Sequence, residues 1–116
     1  KVITSWPDKI SVVGFELHHG RSQLVDSSQL KIQPLTDDPS LGWVAMNQDL
    51  NKVAGTYLHG IFENGQWRRR WLNELRIKKG LKELSINEPH HAQRREHLLD
   101  LLADAFEEHV DLSLII

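Results

Sequence analysis

Two stretches of the chain hold residues whose types and spacing suit proton transfer: GFELHHGRS, Gly14 to Ser22, and GTYLHG, Gly55 to Gly60. In the second, His59 follows a short apolar run and precedes a glycine. Histidine titrates near neutrality, so it can take a proton and return it within one reaction cycle. If the run ending at Leu58 is a strand, His59 stands just beyond its carboxyl end, where functional side chains of open α/β sheets gather. Gly60 would let a substrate or another segment approach closely. The plain alternative is a histidine that closes a turn with a hydrogen bond.

In the first stretch, Glu16 and His18 alternate along the chain, so on a strand both project from one face while His19 points the other way. A carboxylate beside an imidazole suits an acid–base or orienting pair. An edge strand with a solvated polar face explains the same spacing. Gly20-Arg21 offers an anion-binding turn, a pattern too common to carry weight. His90, His91 and His97 raise the question of metal, but helical zinc ligands usually stand three or four residues apart. His90 and His97 are seven apart, so these residues read as a solvated helix start and no metal is expected. Arg68 to Arg70, between Trp67 and Trp71, read as the exposed basic face of a helix.

The elements that must position these residues follow from local pattern. Ile10 to Leu17, rich in β-branched and aromatic residues, reads as a strand after the Pro7-Asp8 turn signal. Gln29 to Leu35 reads as a half-exposed strand, which Pro34 places at an edge or near its end. Thr36 to Gly42 is a loop by its turn residues. Trp43 to Asn47 and Val53 to Leu58 read as two strands of a hairpin joined by QDLNK. From Gly65 to Lys79, Trp67, Trp71 and Leu75 recur with helical period, ending at Gly80. A second helix is expected from Pro89 to His109, capped by Asn87, with Leu98, Leu101, Leu102, Ala105 and Phe106 as its buried stripe. Strands followed by helices suit α+β or the terminal part of an α/β sheet, and the strand–loop–helix around His59 favours the second.

Bulk composition narrows the partners. With 14 basic and 16 acidic side chains in 116 residues, the net charge of -2 argues against nucleic acid or an anionic membrane as the main partner. Hydrophobic residues make up 40% and charged residues 26%, the profile of one soluble globular domain. No apolar run approaches the length that spans a bilayer, so a cytoplasmic setting is expected. The chain has no cysteine, hence neither disulfides nor a thiolate nucleophile. It begins at Lys1 rather than methionine and is expected to be a fragment of something longer.

Taken together, VVGFELHHGRS, VAGTYLHGIF and WRRRWLNELR resemble the C-terminal end of the cobyric acid synthase family, glutamine-dependent amidotransferases of cobalamin biosynthesis. That family carries a Gly-Tyr-Glu-Ile-His-x-Gly-Arg-Thr type segment, then Gly-Thr-Tyr-Leu-His-Gly, then a helix rich in Arg, Trp or Phe, and Leu. Here the first becomes Gly14-Phe15-Glu16-Leu17-His18-His19-Gly20-Arg21-Ser22, and the second is met without change from Gly55 to Gly60. The closing REHLLDLLADAFEEHVDL, Arg95 to Leu112, is similar to the family's last helix.

The resemblance implies an α/β fold, the C-terminal part of a doubly wound, flavodoxin-like class I glutaminase domain, with residues 1–116 lacking the nucleophile-bearing part. It implies an enzyme that hydrolyses glutamine with a cysteine nucleophile and a histidine base, His59 here. Ammonia would pass to a separate synthetase domain that uses ATP and Mg, converting adenosylcobyrinic acid a,c-diamide to cobyric acid. The implied partners are glutamine, the rest of the amidotransferase/synthetase chain and the corrinoid substrate, with no nucleic acid, no membrane and no cofactor or metal in this segment.

Two departures stand out. The nucleophile is missing, because the cysteine count is zero. Better-known class I glutaminases place an acidic orienter two residues after the histidine, where this chain has Ile61. His59 is therefore oriented by backbone or by another group; Glu16 is the candidate, with His18 in a supporting role. Cobyrinic acid a,c-diamide synthase shares the domain, but Gly20-Arg21-Ser22 favours the cobyric acid enzyme. A non-catalytic glutaminase remnant that only binds a partner is the reading from a different class. A metallohydrolase rests on histidine count alone.

Overall fold

The structure, a computed structural model, describes residues 1–25 and 28–115. Among these described residues seven strands precede two helices: β1 (Val2–Ile3), β2 (Ser11–Val12), β3 (Phe15–Glu16), β4 (Lys31–Pro34), β5 (Gly42–Met46), β6 (Lys52–Thr56), β7 (Leu58–His59), α1 (Gly65–Lys78) and α2 (His91–His109). Strands followed by two helices is the expected α/β order. Three sheets form, β1-β2, β3-β7 and β4-β5-β6, and every pairing among the described residues is antiparallel. Partners joined by the short links 35–41 and 47–51 have no room for the helical crossover that parallel pairing needs. The parallel strands implied by a flavodoxin-like domain are not among these pairings.

The hairpin β5-β6 and the edge strand β4 stand where the alternation places them. Pro34 ends β4 opposite Trp43, on an edge where its missing N–H leaves no partner unpaired. The strand expected over Ile10 to Leu17 is broken in two. Val12 pairs with Val2 in one sheet, and Phe15 pairs with His59 in another. Between them Val13 is held by a side chain rather than a strand: its N–H donates to Asn64 Oδ1 (2.9 Å) and its carbonyl accepts from Asn64 Nδ2 (2.9 Å). The run Val53 to Leu58 also divides. The Tyr57 N–H and the Thr56 hydroxyl both donate to the Leu41 carbonyl, and the Leu58 N–H donates to Thr56 Oγ1. These bonds turn the chain out of β6 and start β7 against β3.

Asn64 also donates through Nδ2 to the carbonyls of Gly60 and Ile61, and it is buried. One amide thus fastens the Val13 backbone to the turn after His59. Replacing Asn64 by Ala strands the Val13 N–H and several carbonyls, a loss of about 2 kcal/mol. Hydrogen exchange of the Val13 amide is then expected to speed up by about 30-fold, the equivalent of that figure. Unchanged protection would mean that the side chain is not its partner.

The core lies between the strands and α1: Trp6, Val12, Leu35, Leu41, Val44, Leu58, Ile61 and Trp67, with Val2, Ile10 and Trp71 against it. Trp67 packs edge-on to Trp6 and Phe62, and its indole N–H donates to the Trp6 carbonyl (3.0 Å). Phe62 meets Trp71 in the same way. The helical spacing of the two tryptophans therefore marks the face of α1 that is buried. The arginine run is not a free basic face. Arg68 donates to the Phe62 carbonyl, Arg69 meets Glu88, and Arg70 meets Asp8 and Glu83, so all three are half-buried ties between α1 and its neighbours. Asn73, buried in the same helix, bonds both the N–H and the carbonyl of Leu84.

Two expectations about α2 fail. Its cap is His90, not Asn87: the imidazole Nδ1 accepts from the Ala92 N–H (3.1 Å), and the Gln93 carboxamide accepts from the His90 N–H (3.2 Å). The chain is still extended at His90, so Asn87 lies too early to reach the first helical N–H groups. The stripe Leu98, Leu101, Leu102, Ala105 and Phe106 is exposed, and no residue of α2 is buried. The helix stands off from the strands and α1, which gives a radius of gyration of 19.9 Å. A compact chain of this length would have about 13 Å. Acidic caps complete the turns: Asp38 and Asp111 accept hydrogen bonds from Ser40 and Ser113, side chain first and then backbone, which lowers both carboxyls below their ordinary range.

Candidate active site

His59 closes β7, and Gly60 follows in the left-handed region at φ 80°, a conformation that a side chain would strain. A 3-10 turn, Ile61–Glu63, leads directly into α1. This is the strand–turn–helix expected around the histidine. Opposite it, Gly14 comes so close that a Cβ there would collide with the His59 carbonyl oxygen and lie 2.9 Å from Leu58 Cδ1. The glycine that opens the first motif thus lets the strand of the second pass.

The two motifs form one unit. Phe15 is paired with His59 across the ribbon, and their rings stack at 5.2 Å and 15°. His59 Nε2 lies 2.9 Å from the Leu17 carbonyl. A carbonyl only accepts, so Nε2 carries a proton, and in the neutral ring the lone pair is on Nδ1. His59 is an exposed residue.

Glu16 does not reach His59. The register pairs Glu16 with Leu58, so its side chain leaves the ribbon on the other face. Its carboxylate instead meets His18 Nε2 at 2.7 Å, while His18 Nδ1 lies 3.0 Å from the Gly20 carbonyl. The pairing of Glu16 with His18 expected from their spacing is therefore present, and the group that orients His59 is a backbone carbonyl. His18 also stacks on Tyr57 at 3.8 Å and 15°, and the Tyr57 hydroxyl meets Ser22 Oγ. His19 is exposed and makes no part of this network. His90 spends Nδ1 on its helix cap, and among the described residues no three His, Cys, Asp or Glu gather to hold a metal ion.

Phe15, Leu17 and Tyr57 were not singled out by sequence. Tyr57 stands two residues before His59, and Phe15 belongs to the first motif, but stacking partners are set by register, which neither motif states.

An antiparallel ribbon that carries an oriented, solvent-open histidine at a strand end, ahead of a helix, defines a candidate proton-transfer site. The profile of the CobB/CobQ-like glutamine amidotransferase domain matches residues 2–67, more than half the chain and every residue of this site, and the chain belongs to that family. Among curated relatives it is 58% identical over 111 residues to the cobyric acid synthase of Prochlorococcus marinus (strain MIT 9313), covering 96% of this chain and 22% of the relative. It is 54% identical over 112 residues to that of Synechococcus sp. (strain WH7803), covering 93% and 22%. It is 48% identical over 112 residues to that of Prochlorococcus marinus (strain NATL2A), covering 97% and 22%. The chain thus spans about a fifth of the length of the curated relatives it matches. No solved structure matches it. No helix among the described residues is long and apolar enough to cross a membrane.

Proposed function

We propose that this chain supplies the histidine half of the glutaminase site of a cobyric acid synthase. The observation that carries the reading is the bond from His59 Nε2 to the Leu17 carbonyl, which leaves Nδ1 as the basic nitrogen of the neutral ring, on an exposed residue of the family's matched segment. A cysteine thiol elsewhere in the full-length protein gives its proton to His59 Nδ1, and the thiolate attacks the side-chain amide carbon of glutamine. The departing nitrogen takes the proton back from the imidazolium and leaves as ammonia. Water then hydrolyses the thioester, His59 again accepting and returning a proton, and glutamate is released with the thiol restored. The Leu17 carbonyl stabilises each protonated state of the ring without itself reacting.

In this reading the ammonia serves a synthetase part of the protein, which holds ATP and Mg, activates carboxylates of adenosylcobyrinic acid a,c-diamide and forms the amides of cobyric acid in the cytoplasm. No step of that half is carried by residues of this chain. The names of the curated relatives support the choice of substrate over that of the a,c-diamide synthase. The full-length protein, given ATP, Mg, glutamine and adenosylcobyrinic acid a,c-diamide, is expected to form amides with one glutamate released per amide. Amidation of cobyrinic acid but not of its a,c-diamide would move the chain to the sister enzyme. Failure with both would leave only the non-catalytic binding remnant.

A further inference from the structure

The two histidines of the site differ in one respect that decides their roles. His59 has one ring nitrogen bonded, to the Leu17 carbonyl. His18 has both nitrogens facing acceptors, the Glu16 carboxylate at 2.7 Å and the Gly20 carbonyl at 3.0 Å. Both of its ring nitrogens are thus engaged within the chain, so His18 holds position rather than meeting a reactant. Its position is itself informative. Leu17, whose carbonyl orients His59, lies between Glu16 and His18, and the side chains of those two neighbours are joined to each other. The Gly20 bond fixes the far side of the same segment, and the Tyr57 ring supports His18 from the link between β6 and β7.

We propose that Glu16, His18 and Tyr57 are positioning residues that clamp the Leu17 peptide, so that its carbonyl holds the His59 ring in the tautomer and direction its catalysis requires. The inference rests on the reading of His59 as the glutaminase base. The Glu16 and His18 side chains are 45% and 24% exposed. A pair so exposed adds only about 0–1 kcal/mol to stability. Removing it therefore leaves the fold intact, while letting the Leu17 carbonyl drift from the His59 ring. Misplacement of a reacting group by about 1 Å lowers rate on the order of 10²-fold. The clamp thus has a kinetic signature larger than its effect on stability.

Its test is the glutamine-dependent kcat and KM of the full-length protein, with ammonium-driven amidation as the control for folding and for the synthetase part. Glu16→Ala, His18→Ala and Tyr57→Ala are expected to lower kcat for glutamine by about 10- to 100-fold, with KM changed less than twofold and the ammonium reaction unchanged. Glu16→Gln and Tyr57→Phe are expected to recover most of the rate, because a carboxamide oxygen can accept from His18 Nε2 as the carboxylate does, and a phenyl ring keeps the stack. Alanine variants as fast as the parent, beside an inactive His59→Ala, would overturn the clamp and leave the glutaminase reading standing. Conservative variants as slow as the alanine ones would also overturn it, because charge or hydroxyl chemistry would then matter and geometry would not. A parent rate in His59→Ala would overturn the reading of function and the clamp with it.

Discussion

Incubated with glutamine, the purified chain is expected to release no glutamate above the rate in buffer alone. The reason is stoichiometric. Glutaminase chemistry by a thioester needs a thiol, and the 116 residues contain no cysteine. On the proposed reading His59 is a general base, and without the group it deprotonates it contributes nothing to that route. Serine does not replace the thiol in this geometry: Ser22, the serine of the first motif, has its Oγ against the Tyr57 hydroxyl rather than His59. The effect is all or none, which makes glutamate release a clean assay. Steady turnover that scales with protein, survives further purification and disappears in His59→Ala would show that the nucleophile lies within this chain, contrary to the account.

Several elements were legible because their causes are local. The β5-β6 hairpin follows from alternating apolar residues around the polar QDLNK, and the edge placement of β4 follows from the N–H that Pro34 lacks. The buried face of α1 follows from the helical spacing of Trp67 and Trp71. The strand-end position of His59 was legible from the apolar run before it and Gly60 after it.

What escaped has causes distant in sequence. The break in the strand over Ile10 to Leu17 is made by Asn64, 51 residues further on, whose amide takes the place of a strand partner at Val13. Nothing near Val13 announces this. The orienter of His59 is a backbone carbonyl, and every residue has one, so side-chain types could only suggest Glu16. Register then sends Glu16 to the opposite face, where it meets His18. The roles of the arginines of α1 depend on Glu83 and Glu88, which a loop brings back to the helix. For α2 the period was right and the outcome different. An apolar stripe is buried only if another element lies over it, and among the described residues none does.

The central claim is that His59 activates a thiol that lies outside these residues, and it makes the two nitrogen sources separable. On that claim glutamine passes through the thiol and His59, whereas free ammonia enters the proposed synthetase reaction after both. Replacing His59 by Ala leaves β7 intact, because its backbone pairing with Phe15 does not involve the imidazole. The loss is then the general base alone, which typically lowers rate by about 10²- to 10⁴-fold. The measurement is amidation by full-length His59→Ala with glutamine and, separately, with an ammonium salt at neutral to mildly alkaline pH. The account predicts that the glutamine-driven rate falls by that factor while the ammonium-driven rate stays near the parent's. Loss of both rates would make His59 a structural residue, and retention of both would contradict its assignment as the glutaminase base.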